Sequence, residues 1–164
     1  MEKQPEFHVK IGEIKIGKSP DILKATLGSC VGIAFVWKDK NRFGLAHCLL
    51  PDAPASSLQL GAKYVSQAIP SLIAMMKLAP ENFSELEVYV TGGGNMLERL
   101  AKKNSNHVGV QNADTAKRIL KEMGFPLTQV EVGGDEGRQI IVDCATAKIQ
   151  IRKIPRTTTN EKSR

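Results

Sequence analysis

A chain of 164 residues with 41% hydrophobic and 24% charged side chains fits one globular domain of roughly 150 residues with a core of its own, and excludes a disordered chain or a coiled-coil rod. Three cysteines, at 30, 48 and 144, are an odd count in a chain too long to need stapling, which argues against a disulfide framework and for a reducing, cytoplasmic setting. The net charge of +6 divides unevenly, because residues 152–164 hold five basic side chains against one acidic, leaving only +2 for residues 1–151. That distribution lacks the basic footprint of a nucleic-acid reader.

No apolar run approaches the roughly 18 to 20 residues of a membrane span, and MEKQPEFHVK contains no signal-peptide hydrophobic region. Membrane insertion is therefore not expected. Residues 1–153 are predicted to form the folded domain, and 154–164 a basic, disordered, solubilising tail.

Phe7, Val9 and Ile11 alternate with polar residues, and Ile14 and Ile16 resume the alternation after Gly12, which predicts a strand interrupted by a bend or bulge. VGIAFVW at 31–37 is continuously apolar and reads as a central strand. With FGLAHCLL at 43–50, which Pro51 terminates, it predicts an antiparallel hairpin. Apolar residues at helical spacing between Ser57 and Ala79 predict a helix that Pro70 kinks or divides. LEVYVTGG at 86–93 reads as a strand ending in glycines. A short helix from Met96 to Lys103 is expected next, then one from Ala113 to Met123 with Asn112 as N-cap and Gly124 as stop. QVEV, QIIVDC and KIQIRK complete the pattern as short strands. This order predicts an α/β single domain with a mixed, largely antiparallel sheet and packed helices, since the strict alternation of a doubly wound fold is absent.

Thr26-Leu27-Gly28-Ser29-Cys30 immediately precedes the most apolar strand. Backbone N–H groups of Gly28 and Ser29 beside the sulfur would hold an oxyanion and lower the thiol pKa; the bland alternative is a small buried hydrophobe opening a strand. His47 sits on the strand that the hairpin places next to that of Cys30. Alternation puts Leu45, His47 and Leu49 on one face, and Ala46, Cys48 and Leu50 on the other. A histidine held by hydrogen bonds in the core is the competing reading. Together, Cys30 and His47 form a nucleophile and base pair within expected hydrogen-bond reach, whereas Cys48 is assigned to packing.

Thr91-Gly92-Gly93-Gly94-Asn95 lies between a strand and a helix but lacks the lysine and spacing of a phosphate loop. It reads as a tight connection or as a wall of the substrate groove. The glycines of VGGDEGR favour a turn, with Arg138 contacting an acidic surface or an internal carboxylate. No CxxC or HxxxH spacing is present, so neither a metal nor an organic cofactor is expected.

LGSCVGI at 27–33, GLAHCLLP at 44–51, TGGGNM at 91–96 and VGGDEGR at 132–138 resemble, in order and spacing, the CheD family of chemoreceptor glutamine deamidases. The resemblance extends over roughly residues 7–153. It implies a Cys-His hydrolase type site that converts selected receptor glutamines to glutamate through a Cys30 thioester, in bacterial or archaeal chemotaxis adaptation, with His47 as acid and base. Glutamyl methyl esters would pass through the same acyl-enzyme. The family's third residue, a threonine that orients the histidine, falls at Lys24 on ungapped alignment, so Thr26, the only threonine upstream of Cys30, is taken for that role; a backbone carbonyl or Ser29 stays open as the alternative. Implied partners are methyl-accepting chemoreceptors and a CheC-type phosphatase. The competing function is a catalytically weak binding module that docks to either.

Overall fold

The computed structural model describes residues 3–54, 59–95 and 107–155. Among these residues, nine strands and two α-helices run in the order β1 Glu6–His8, β2 Ile14–Gly17, β3 Ile22–Leu27, β4 Val31–Trp37, β5 Arg42–Cys48, α1 Val65–Met75, β6 Glu87–Gly92, α2 Val108–Glu122, β7 Gln129–Val132, β8 Gly137–Asp143 and β9 Lys148–Ile154. The strands form two mixed sheets rather than the one expected. A five-stranded sheet has the order β2-β5-β4-β6-β7, and a four-stranded sheet the order β1-β3-β8-β9. Within them only β1 with β3 and β6 with β7 run parallel.

Burial explains why β4 reads as an unbroken apolar run. Val31, Ile33 and Phe35 face a core shared with Ala68, Ile69 and Leu72 of α1 and Ala116 and Leu120 of α2. Ala34 and Val36 face the second sheet, where they meet Leu23, Ala25, Phe43, Leu45, Ile140 and Val142. A strand covered on both faces has no polar side to show. The result is three layers: helices, the five-stranded sheet, and the four-stranded sheet.

The expected bend near Gly12 separates strands of different sheets, since β1 pairs with β3 and β2 with β5. Gly12 takes φ of +85° at this turn, a conformation that suits glycine. β3 was not anticipated as an element; its Leu23, Ala25 and Leu27 are buried and the residues between them face outward, a half-buried alternation hidden by lysine and threonine. The hairpin of β4 and β5 is present, with Val31 opposite Cys48 and Trp37 opposite Arg42, although β5 stops at Cys48 and Leu50 makes only an isolated bridge to Tyr64.

α1 is one continuous helix with Pro70 inside it. α2 begins earlier than expected, and its N-cap is His107, whose Nδ1 accepts from the Gly109 N–H at 3.0 Å. Asn112 therefore does not cap the helix; it lies inside it and is fully buried. Gly124, at φ +89°, follows the last turn as expected. β9 runs to Ile154. The expected helix at Met96–Lys103 and the tail from 156 lie outside the described residues. Among the described residues no helix is long and apolar enough to cross a membrane.

Candidate active site

Cys30 closes the short bend that joins β3 in one sheet to β4 in the other. It packs with the inter-sheet cluster and is 6% exposed. In the β4–β5 ladder His47 lies directly opposite Gly32. Cys30, in the bend just before β4, packs in the inter-sheet cluster toward which Gly32 also faces, so it lies on the same side of the sheet as His47. Cys48 belongs to the helix-side core, as its parity requires.

The connection between β1 and β2 wraps His47. Its backbone N–H donates to the Glu13 carbonyl at 3.0 Å, and its own carbonyl accepts from the Gly12 N–H at 2.8 Å. Its ring Nδ1 lies 2.8 Å from the Val9 carbonyl oxygen. A carbonyl can only accept, so this bond requires the proton on Nδ1 and leaves Nε2 as a bare lone pair. Nε2 is buried with no hydrogen-bond partner among the described residues.

Two expectations about this pair are corrected. First, no hydrogen bond joins the Cys30 sulfur to the imidazole. Second, the Cys30 thiol is pushed above its ordinary value of 9.0 by burial, not lowered. His47 is displaced below 6.5, chiefly because burial penalises its charged form, with the Val9 bond and the Glu13 charge opposing. Both groups therefore rest neutral near pH 7.

The imidazole is oriented by the Val9 carbonyl, not by Thr26. Leu23, Ala25 and Leu27 of β3 turn inward, so Thr26 points the other way and is exposed; the structure does not bring it to His47. Lys24 shares the outward side and pairs with Glu6 at 3.0 Å.

Gly28 and Ser29 are half-buried beside Cys30. Three successive carbonyls of this bend are tied down: Gly28 accepts from the Gly94 N–H at 2.9 Å, Ser29 from Asn112 Nδ2 at 3.0 Å, and Cys30 from the Gly93 N–H at 2.8 Å. In a planar trans peptide the N–H points opposite to the preceding C=O. The N–H groups of Ser29 and Cys30 are thereby turned away from the glycine segment and from α2. The TGGGN segment is thus a backbone brace behind the Gly28–Cys30 bend. It is itself held by the 133–136 turn, through Gly133 N–H to the Gly92 carbonyl at 3.0 Å and Asn95 N–H to the Gly134 carbonyl at 2.8 Å. Arg138 is internal: its Nη1 donates to the Gly133 carbonyl at 2.9 Å and its Nε lies 3.6 Å from Glu131.

Asn112, expected as an N-cap, instead bonds the Ser29 and Leu49 carbonyls from inside α2, each at 3.0 Å. Its signal was helical periodicity, because Gly109, Asn112, Ala113, Ala116 and Leu120 line one buried face and an amide among small apolar residues needs a reason to be there.

The differing environments of the thiols predict an order of alkylation in the native protein. Cys144 is pushed up to about 12 and Cys48 higher still, so Cys30 should react first with iodoacetamide, faster as the pH approaches 9.0. Peptide mapping would read the order directly, and Cys144 labelling ahead of Cys30 would contradict it.

The fold is that of a mixed α/β protein, with Cys30 at the bend between its two sheets and His47 on the strand paired with β4. The chain belongs to the CheD family: the family model described as CheD chemotactic sensory transduction matches residues 49–153. That span begins beyond both site residues, but alignments with whole relatives include them. A probable chemoreceptor glutamine deamidase CheD of Bdellovibrio bacteriovorus is 38% identical over 93% of this chain and 97% of its own. A probable chemoreceptor glutamine deamidase CheD 2 of a Ruegeria species is 36% identical over 92% of this chain and 93% of its own. A solved DUF152 protein of Neisseria meningitidis overlays with a TM-score of 0.47 at 13% identity, covering 80% of this chain and 63% of that protein's length.

Proposed function

We propose that this protein hydrolyses the side-chain amide of chemoreceptor glutamines to glutamate and ammonia, with Cys30 as nucleophile and His47 as general acid and base. The observation that carries this reading is the imidazole tautomer: Nδ1–H bound to the Val9 carbonyl leaves Nε2 unprotonated and unpartnered on the face that carries Cys30. A purely structural buried histidine would normally satisfy both ring nitrogens.

The chemistry follows from that resting state. Nε2 takes the thiol proton as Sγ attacks the carboxamide carbon, and the tetrahedral oxyanion is held by backbone N–H groups of the Gly28–Cys30 bend. The imidazolium returns its proton to the departing nitrogen, releasing ammonia and leaving a Cys30 thioester. Neutral Nε2 next takes a proton from water, whose oxygen attacks the thioester carbonyl. Collapse expels the thiolate, which is reprotonated by the imidazolium, and frees glutamate. No metal enters any step. Because the target is a side chain on the receptor surface, the nucleophile needs to reach only a projecting amide, not an extended backbone.

Mass spectrometry of receptor fragments incubated with wild type and with Cys30→Ala tests the proposal. Wild type should produce the small mass gain of amide-to-acid hydrolysis at particular glutamines, and the variant should not. Equal gain with both proteins, or none with wild type, would leave the binding-module reading in its place.

The resting protonation states give the pH dependence its sign. Protonation of His47 removes the base, so kcat/KM should fall on the acid side below 6.5. Ionisation of the raised Cys30 thiol should bound the alkaline side above 9.0. A preformed thiolate–imidazolium pair would instead place its acid limb well below that of a neutral histidine, and such a profile would refute the neutral resting pair.

A further inference from the structure

We infer that Asn112 is a positioning residue for the reaction, an inference that rests on the deamidase reading above. Its amide is fully buried, and its two N–H bonds go to the Ser29 and Leu49 carbonyls, each at 3.0 Å. Ser29 immediately precedes the nucleophile, and Leu49 lies two residues beyond the base. One side chain on α2 therefore ties the end of the nucleophile bend to the end of the histidine strand, from the side opposite to that toward which the Cys30 N–H points.

Geometry gives this tie a chemical consequence. Fixing the direction of the Ser29 carbonyl fixes the opposite direction for the Cys30 N–H in the same peptide plane. That N–H is the donor nearest the sulfur, so the side chain of Asn112 sets where an oxyanion donor points without touching the oxyanion.

The residue is also held at a cost. Asn112 Oδ1 is buried without a hydrogen-bond partner among the described residues, which destabilises the fold. The neighbouring buried positions of α2 are filled by Ala113 and Ala116. Helix packing alone would be better served by another alanine, whereas two carbonyl acceptors on different strands require a double donor.

The test compares Asn112→Ala and the volume-preserving Asn112→Asp with wild type and with Leu120→Ala, which weakens the same helix at a position remote from the bend. For the folded fraction of each Asn112 variant, kcat on receptor fragments should fall about 10- to 100-fold, as expected for a misdirected catalytic group, with KM within about twofold. Asp should fare no better than Ala, since its oxygens would face two carbonyl oxygens. Alkylation of Cys30 should accelerate in both Asn112 variants while Cys48 and Cys144 keep their wild-type rates. Leu120→Ala should lower the melting temperature yet retain kcat. Wild-type kcat in a folded Asn112 variant, or equal acceleration at all three cysteines, would overturn the inference. Were wild type itself inactive, the deamidase reading would fail, and the alkylation pattern would still decide whether Asn112 holds the Cys30 bend.

Discussion

Cys30→Ala is expected to reduce deamidation of receptor fragments to that of buffer alone, a loss of at least about three orders of magnitude, because the remaining donors can bind an oxyanion but nothing can form the acyl intermediate. Stability should barely change. The side chain is small and touches the inter-sheet core, so deleting the sulfur should cost about 1 kcal/mol, or roughly 2–4 °C in melting temperature for a chain of this size. His47→Asn separates the two ring nitrogens' roles. The asparagine amide can donate to the Val9 carbonyl as Nδ1 does, but it offers no base at the Nε2 position. Its expected loss is about 10²- to 10⁴-fold, smaller than that of Cys30→Ala. Substantial activity in Cys30→Ala would move the nucleophile elsewhere in the protein.

What the sequence made legible was local. The hairpin could be read because VGIAFVW is bounded by a charged turn and answered by a second apolar run. Parity then placed His47 and Cys48 on opposite faces, as they are found. Pairing partners had no local signature. Nothing in Phe7–Ile16 reveals that its two halves join different sheets, or that the resulting connection would wrap His47. The orienting group stays open in the sequence between Thr26, Ser29 and a backbone carbonyl, because a carbonyl carries no residue type, and the structure supplies the last of these. The Val9 carbonyl supplies an acceptor that any side chain at residue 9 would leave in place. Asn112 was assigned to a cap because asparagine commonly caps helices, yet α2 extends past it toward the N-terminus, and the β-branched Val108 and Val110 concealed that first turn. The glycine turn alone favours a lowered Cys30 pKa, but burial of the thiol in the inter-sheet core raises it.

The brace behind the Cys30 bend yields a sharper expectation about Gly92. This residue ends β6 at φ +104°, where a side chain is strained, and a Cβ added there would press well inside contact distance of the Cys30 carbonyl oxygen while also crowding Leu27. The carbonyl cannot yield easily, since it holds the Gly93 N–H at 2.8 Å. Gly92→Ala should therefore combine a backbone penalty of about 1–3 kcal/mol with an overpacking penalty of about 1–3 kcal/mol, and lower the melting temperature by several degrees or more. Gly124→Ala isolates the first contribution. That glycine also has positive φ, at +89°, but a Cβ there meets nothing within 4 Å, so its substitution should cost only about 1 kcal/mol and leave kcat unchanged. In Gly92→Ala the folded fraction should also lose activity, because the clash is relieved by displacing the peptide that presents the Cys30 sulfur. Thermal melts and kcat of the two variants side by side would decide the matter: if Gly92→Ala were as mild as Gly124→Ala in both, the glycine segment would be only a connection between strand and helix and not a brace for the nucleophile.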